Sequence, residues 1–237
     1  MAYTDIDKPS DYFNTILYTG NGGSGHAQTG VGFKPDWVWI KQRSATHDQW
    51  LTDIVRGVTK TLRTNNTDAE NTIASGLTSF DSDGFTVGSN GSINDNGQTY
   101  AAWNWLGSNT TASNGNGSIT STVSVNTTSG FSIVKYTGTG SNLTIGHGLG
   151  AIPKMIIVKK LTATDDWYVY HNSTGAGNVL KLNTTAASSA DALAWQNTTP
   201  TSSLVYLGAR GEVNAGSTDY IAYCFADVQG YSKFGSY

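Results

Sequence analysis

Apolar and polar residues alternate with a period of two over short runs along this chain, and each run ends in a cluster of Gly, Asn, Ser or Asp. Such alternation puts successive side chains on opposite faces of a strand. The clusters supply the residues that turns require. In the first half the pattern predicts strands near 12–18, 37–42, 50–52, 61–63, 77–80, 84–87 and 98–105. In the second half it predicts strands near 131–136, 155–160, 167–171, 179–182, 203–207 and 218–226. "LTDIVRGVTK", with Ile54, Val55 and Val58, reads as a short helix or turn, too short to carry a helical layer.

The two halves repeat one another. Tyr18-Thr19-Gly20 aligns with Tyr136-Thr137-Gly138, and Pro35 with Pro153. "DWVWIK" aligns with "KMIIVK", Trp50 with Trp167, and "NDNGQTYAAWNW" with "NAGSTDYIAYCF". The blocks keep their order at a nearly constant offset of roughly 118 residues, the mark of a repeat architecture. The expected fold is therefore all-β, with two tandem β-sandwich units of jelly-roll-like topology related by internal duplication. The first unit is expected over 1–108, a linker with a possible first strand of the second unit over 109–129, and the second unit over 130–237. The linker reading rests on the Ser/Asn/Gly/Thr content of "LGSNTTASNGNG".

The repeat also informs the large aromatic residues. Trp37 and Trp39 share one strand face, and their counterparts are Met155 and Ile157. Bulk is retained there while the flat ring is not, so a core role is favoured over a sugar-stacking role. Trp103 and Trp105 align with Tyr223 and Phe225, an aromatic pair in both copies that suits packing between sheets. Trp50 and Trp167, each at a strand start, are the candidates for stacking on a glycan. Tyr231, Phe234 and Tyr237 form a C-terminal aromatic tail suited to assembly contacts.

Composition narrows the possible partners. Only 13% of the 237 residues are charged, and the net charge is −3. No basic patch stands out, so nucleic acid is not an expected partner. No run approaches the ~18 consecutive apolar residues of a membrane span. The segment "MAYTDIDKPSDYF" lacks the basic start and apolar run of a signal peptide. With Cys224 as the one cysteine, an intrachain disulfide is excluded, which fits folding in a reducing compartment.

No catalytic, cofactor or metal constellation is expected, and the chain reads as a non-enzyme. Cys224 lies inside a strand, as a buried structural thiol does. His26, His47, His147 and His171 show no zinc-site spacing; His26 and His147 occupy matching glycine-rich loops. "DSDGFT" starts like a calcium loop but has Ser92 where the twelfth-position Glu would stand, so it reads as a turn between strands. Asp48, Asp165 and Asp166 precede the shared tryptophans as turn-capping acids. Lys41 and Arg43 read as a solvated strand end.

Several of these segments also resemble a known group. "GFKPDWVWIKQRS", "LTDIVRGVTKTL", "SFDSDGFTVG", "YTGTGSNLTIGHGLGAIPKMIIVKK", "TPTSSLVYLG" and "IAYCFADVQGYSKFGSY" are similar to a repeat in virion proteins of tailed phages that infect marine bacteria, including cyanophages and pelagiphages. The resemblance runs from about Tyr12 to Tyr237. It implies a structural protein of the virion surface, made in the bacterial host cytoplasm: a capsid decoration, vertex or tail-fibre attachment subunit. It implies other virion proteins as partners and self-assembly as a homo-oligomer, for which a cyclic trimer is the expectation. The alternative expectation is a carbohydrate-binding module that recognises a host surface glycan.

Overall fold

The computed structural model describes residues 4–236. The chain is all-β, about 40% strand and 5% helix, with antiparallel sheets. It divides into two compact units. One runs from Lys8 to Thr110; the other runs from Thr111 onward and includes the N-terminal residues up to Asp7.

In the first unit a single 3-10 turn at Pro9–Asp11 leads into β1 (Phe13–Thr19). There follow β2 (His26–Gln28), β3 (Trp37–Gln42), β4 (Trp50–Asp53), β5 (Lys60–Arg63), β6 (Asn71–Thr72), β7 (Leu77–Asp81) and β8 (Gly84–Val87). A one-turn helix α1 (Gly91–Asn94) precedes β9 (Thr99–Trp105). The strands form a six-stranded sheet, β1-β9-β3-β4-β5-β6, and a three-stranded sheet, β2-β8-β7. Val38, Ile40, Trp50, Tyr100 and Ala102 from the first sheet pack against Leu77, Phe85 and Val87 from the second, with Ile93 of α1 among them. Two sheets burying their apolar faces against each other is sandwich packing.

The second unit contains β10 (Ala112–Asn114), β11 (Ser121–Asn126), β12 (Phe131–Thr137), β13 (Leu143–Gly146), β14 (Pro153–Lys160), β15 (Tyr168–His171), β16 (Asn178–Lys181), β17 (Ser189–Ala190) and β18 (Leu204–Leu207). Another one-turn helix, α2 (Gly211–Asn214), precedes β19 (Asp219–Ala226). The large sheet is β10-β11-β12-β19-β14-β15-β16-β17, and β13 pairs with β18. From β12 to β17 its strand order repeats that of the six-stranded sheet, while β10 and β11 extend one edge. Tyr136, Ile156, Tyr168, Tyr220 and Cys224 of the large sheet pack against Leu143, Ile145, Val205 and Leu207 of the small one.

Two expectations change here. The first half of 109–129, expected as a linker, is folded: Ala112–Asn114 pairs with Ser121–Val123 in the segment read as a possible first strand, and Ser121 donates its hydroxyl to the Gly146 carbonyl at 2.8 Å. The sheets are also unequal, six strands over three and eight over two, where a jelly roll divides eight strands between two sheets. "LTDIVRGVTK" forms the end of β4, a turn and the start of β5. Asp53 holds that turn by accepting from the Val55 and Arg56 amides, while Arg56 Nε donates to the same carboxylate at 2.5 Å.

Each unit locks its one-turn helix with a pair of tyrosines. Tyr18 stacks on Tyr100 with centroids 4.9 Å apart; their hydroxyls donate to the carbonyls of Ile93 and Gly91. Tyr136 stacks on Tyr220 at 5.3 Å and the pair donates to Val213 and Gly211. A buried phenol needs such a partner. Burial raises the pKa of all four phenols, that of Tyr220 to about 12, so the hydroxyls stay protonated donors.

Candidate functional site

The alternation that puts Val38 and Ile40 inside the first unit puts Trp37, Trp39 and Lys41 on the opposite face of the six-stranded sheet. The order β1-β9-β3-β4 then aligns partners across that face. Phe13, Trp105 and Trp37 stand in one row; Thr15, Trp103, Trp39 and Leu51 stand in the next; Leu17, Ala101 and Lys41 stand in the third. Cross-strand neighbours of this kind lie about 4.5–5.5 Å apart at Cβ, so four indoles on two adjacent strands must meet.

They form a ladder of tilted rings. Phe13 lies 4.4 Å from Trp105, Trp105 4.3 Å from Trp37, Trp37 5.8 Å from Trp39, and Trp39 5.7 Å from Trp103. The interplanar angles run from 48° to 66°, as the quadrupoles of aromatic rings favour. Trp37 is buried, whereas Trp39, Trp103 and Trp105 are only half-buried. Together with Lys41 and Gln49 these three line a hollow of about 370 Å³.

Hydrogen bonds fix the walls of the hollow. Trp39 Nε1 donates to Thr64 Oγ1 at 2.9 Å, and Thr64 Oγ1 donates in turn to Gln49 Oε1 at 2.9 Å. Lys41 Nζ donates to the His47 carbonyl at 2.8 Å. The corresponding lysine of the second unit, Lys159, makes the same bond to Asp165 at 3.0 Å but is fully buried. The second-unit residues matching the indoles, Ile157, Tyr223 and Phe225, are buried too. The hollow thus belongs to the first unit.

The glycan candidates are overturned. Trp50 is 3% exposed and Trp167 is fully buried. Trp50 points inward among Val38 and Ile40, with the Arg63 guanidinium 6.0 Å from its ring. Neither ring offers a face to solvent. Trp39, read as a core residue, and Trp103 and Trp105, read as packing between sheets, hold the partly open indole faces instead. The neglected signal was Lys41, which shares the period-two face of Trp37 and Trp39.

In the aromatic tail, Phe234 lies 5.9 Å from Phe225 of its own unit, and its amide donates to Asp227 at 2.9 Å. Tyr231 is half-buried and lines a surface hollow of about 480 Å³ formed by 227–233. Tyr237 lies outside the described residues.

Elsewhere the reactive groups serve the fold. Cys224 is buried, and burial pushes its thiol up to about 12. His147 is buried with its Nε2 3.2 Å from the Thr201 carbonyl, while its Nδ1 accepts from the Leu149 amide at 3.3 Å. One neutral tautomer satisfies both bonds. His26 Nδ1 lies 2.8 Å from Asn94 Oδ1. Asp83 sits in the tight β7–β8 turn, and the amides of Gly30 and Gly32 that it accepts lower its pKa. Asp48 pairs with Arg63, Asp165 with Lys160 and Asp166 with Lys181, each within its own unit. Among the described residues no three His, Cys, Asp or Glu side chains cluster as a metal site, and no helix is long and apolar enough to cross a membrane.

A family model described as a domain of unknown function (DUF7483) matches residues 8–237, and the chain belongs to that family. No curated protein and no solved structure matches it.

Proposed function

We propose that this DUF7483 member is a non-catalytic structural protein of a tailed-phage particle surface, built from two duplicated β units and acting by assembly. The observation that carries the reading is the repeated interior lock: stacked tyrosines whose hydroxyls hold a one-turn helix occur at the same strand positions in both units. Such a lock spends polar groups on rigidity. The carboxylates described above act the same way, on turn amides and on ion pairs between loops and strands.

Virion membership is supported by the resemblance of the "YTGTGSNLTIGHGLGAIPKMIIVKK" and "IAYCFADVQGYSKFGSY" segments to phage particle repeats. Decoration, vertex and fibre-attachment roles all call for repeated copies, and a cyclic trimer is the proposed assembly. Tyr231, partly exposed in the 227–233 hairpin, is its proposed contact residue. The protein would be made in the bacterial cytoplasm and mature in the virion.

The test is direct. Antibody raised against the purified chain should label intact tailed particles banded on a density gradient from the producing host. Light scattering across a concentration series should give a mass three times that of the chain. Particles that carry no label would overturn virion membership; a concentration-independent monomer would overturn self-assembly.

A further inference from the structure

We infer that the hollow lined by Trp39, Trp103, Trp105, Lys41 and Gln49 binds a pyranose ring of a polysaccharide, with acidic sugars preferred. Three half-buried indoles around about 370 Å³ match a small-ligand site, which is mostly apolar with a few placed polar groups. The C–H faces of a pyranose are apolar, and they seat on the electron-rich faces of indoles. The rings are held ready. The bonds from Trp39 to Thr64 and from Thr64 to Gln49 fix the Trp39 plane before any ligand arrives, which removes part of the ordering cost of binding.

The polar groups select the class. Lys41 uses one N–H on His47, and an ammonium has two more to give. Gln49 uses its carbonyl oxygen on Thr64, which leaves its NH2 as a donor. Both are donors, and hydroxyl and carboxylate oxygens accept. Among the described residues no carboxylate lines the hollow, so a quaternary ammonium, the other ligand that aromatic cages favour, would meet Lys41 with no counter-charge. A uronic acid would place its carboxylate against Lys41 and gain a charge-assisted bond. The second unit, with Ile157, Tyr223 and Phe225 buried at the matching positions, contributes one fewer site per chain, so the stoichiometry is one.

Sugar binding is separable from virion membership, because each is read in a different experiment. Titrate the full chain with tetragalacturonate and with cellotetraose, following tryptophan fluorescence and heat of binding. Saturable binding at one site is expected, at least about fivefold tighter for the acidic oligosaccharide. Trp103→Leu should weaken both ligands by about tenfold or more, a loss of one stacking face. Lys41→Gln should abolish the acidic preference, weakening tetragalacturonate by about fivefold more than it weakens cellotetraose, and an unchanged melting curve verifies the fold. No saturable signal from either oligosaccharide up to about 10 mM would overturn the inference. So would binding that survives Trp103→Leu, and so would saturable binding of decaproline in place of both sugars, since an aromatic groove also suits a polyproline helix.

Discussion

Asn94 and Asn214, one at the end of each one-turn helix, make the same three bonds in their two units. Asn94 Oδ1 accepts from the Asn21 amide at 2.9 Å, and its Nδ2 donates to the carbonyls of Gly23 and Gly88 at 2.7 and 2.8 Å. Asn214 Oδ1 accepts from Thr139 at 2.8 Å and its Nδ2 donates to Ser141 and Gly208 at 2.7 and 2.9 Å. Both side chains are fully buried. Each asparagine therefore ties the loop after β1, or after its counterpart β12, to the end of the small sheet of its unit.

Replacing either asparagine by leucine strips three backbone groups of their partner in a site with little water. The expected loss is about 3–5 kcal/mol, since each orphaned buried group costs roughly 1–3 kcal/mol and neighbours relax. In a chemical denaturation curve, Asn94→Leu should shift the transition of the first unit and Asn214→Leu that of the second. A midpoint within error of the wild type would show that these bonds contribute no net stability.

His147 gives the second unit a pH dependence of known sign. Burial lowers its folded-state pKa, more than the bond to Thr201 raises it. Protons then bind the unfolded chain more readily than the folded one, so stability is full above the ordinary histidine value of about 6.5 and falls as pH drops through that value toward the folded one. The melting temperature should decline between about pH 7 and 5, and His147→Gln should flatten that decline. Parallel profiles for the two proteins would assign the acid sensitivity to other groups.

Two glycines three residues apart should respond in opposite directions. A Cβ on Gly208 would sit 1.9 Å from the Leu193 carbonyl oxygen, a backbone atom that cannot swing away. Gly208→Ala should cost about 3 kcal/mol or more as β18 is pushed from the 191–194 segment. Gly211, at the start of α2, has nothing within 4 Å of its added methyl and no positive φ. Gly211→Ala should stabilise by about 0.4–1 kcal/mol by narrowing the unfolded ensemble. Thermal melts of the two variants against wild type decide the matter.

The strands of the large sheets were legible because bulky residues alternate in them: "WVWIK" and "YIAYCF" declare their two faces. Three short strands were not. His26–Gln28, Leu143–Gly146 and Ala112–Asn114 lie in Gly- and Asn-rich sequence, and they are strands because of what lies across from them, as Leu143 lies opposite Leu207. Polar composition hid β10 for a related reason: Ala112–Asn114 lies in the Ser/Asn/Gly/Thr-rich half of 109–129 and is a strand because Ser121–Val123 lies across from it. The hollow was hidden by register. The spacing of Trp37 and Trp39 gives a face, but that Trp103 stands opposite Trp39 follows from β9 lying between β1 and β3, a pairing that no local pattern encodes.

That same placement makes the last strand of each unit its keystone. β9 and β19 are late in sequence yet central in their sheets, flanked on both sides by strands synthesised much earlier. A nascent chain emerging from the ribosome cannot close either sheet until that strand appears; before then the two flanking strands present unpaired edges, the surface that proteases and chaperones recognise. Chains terminated before β9 or β19 keep that sheet open, so the topology makes completion of each unit conditional on its last strand.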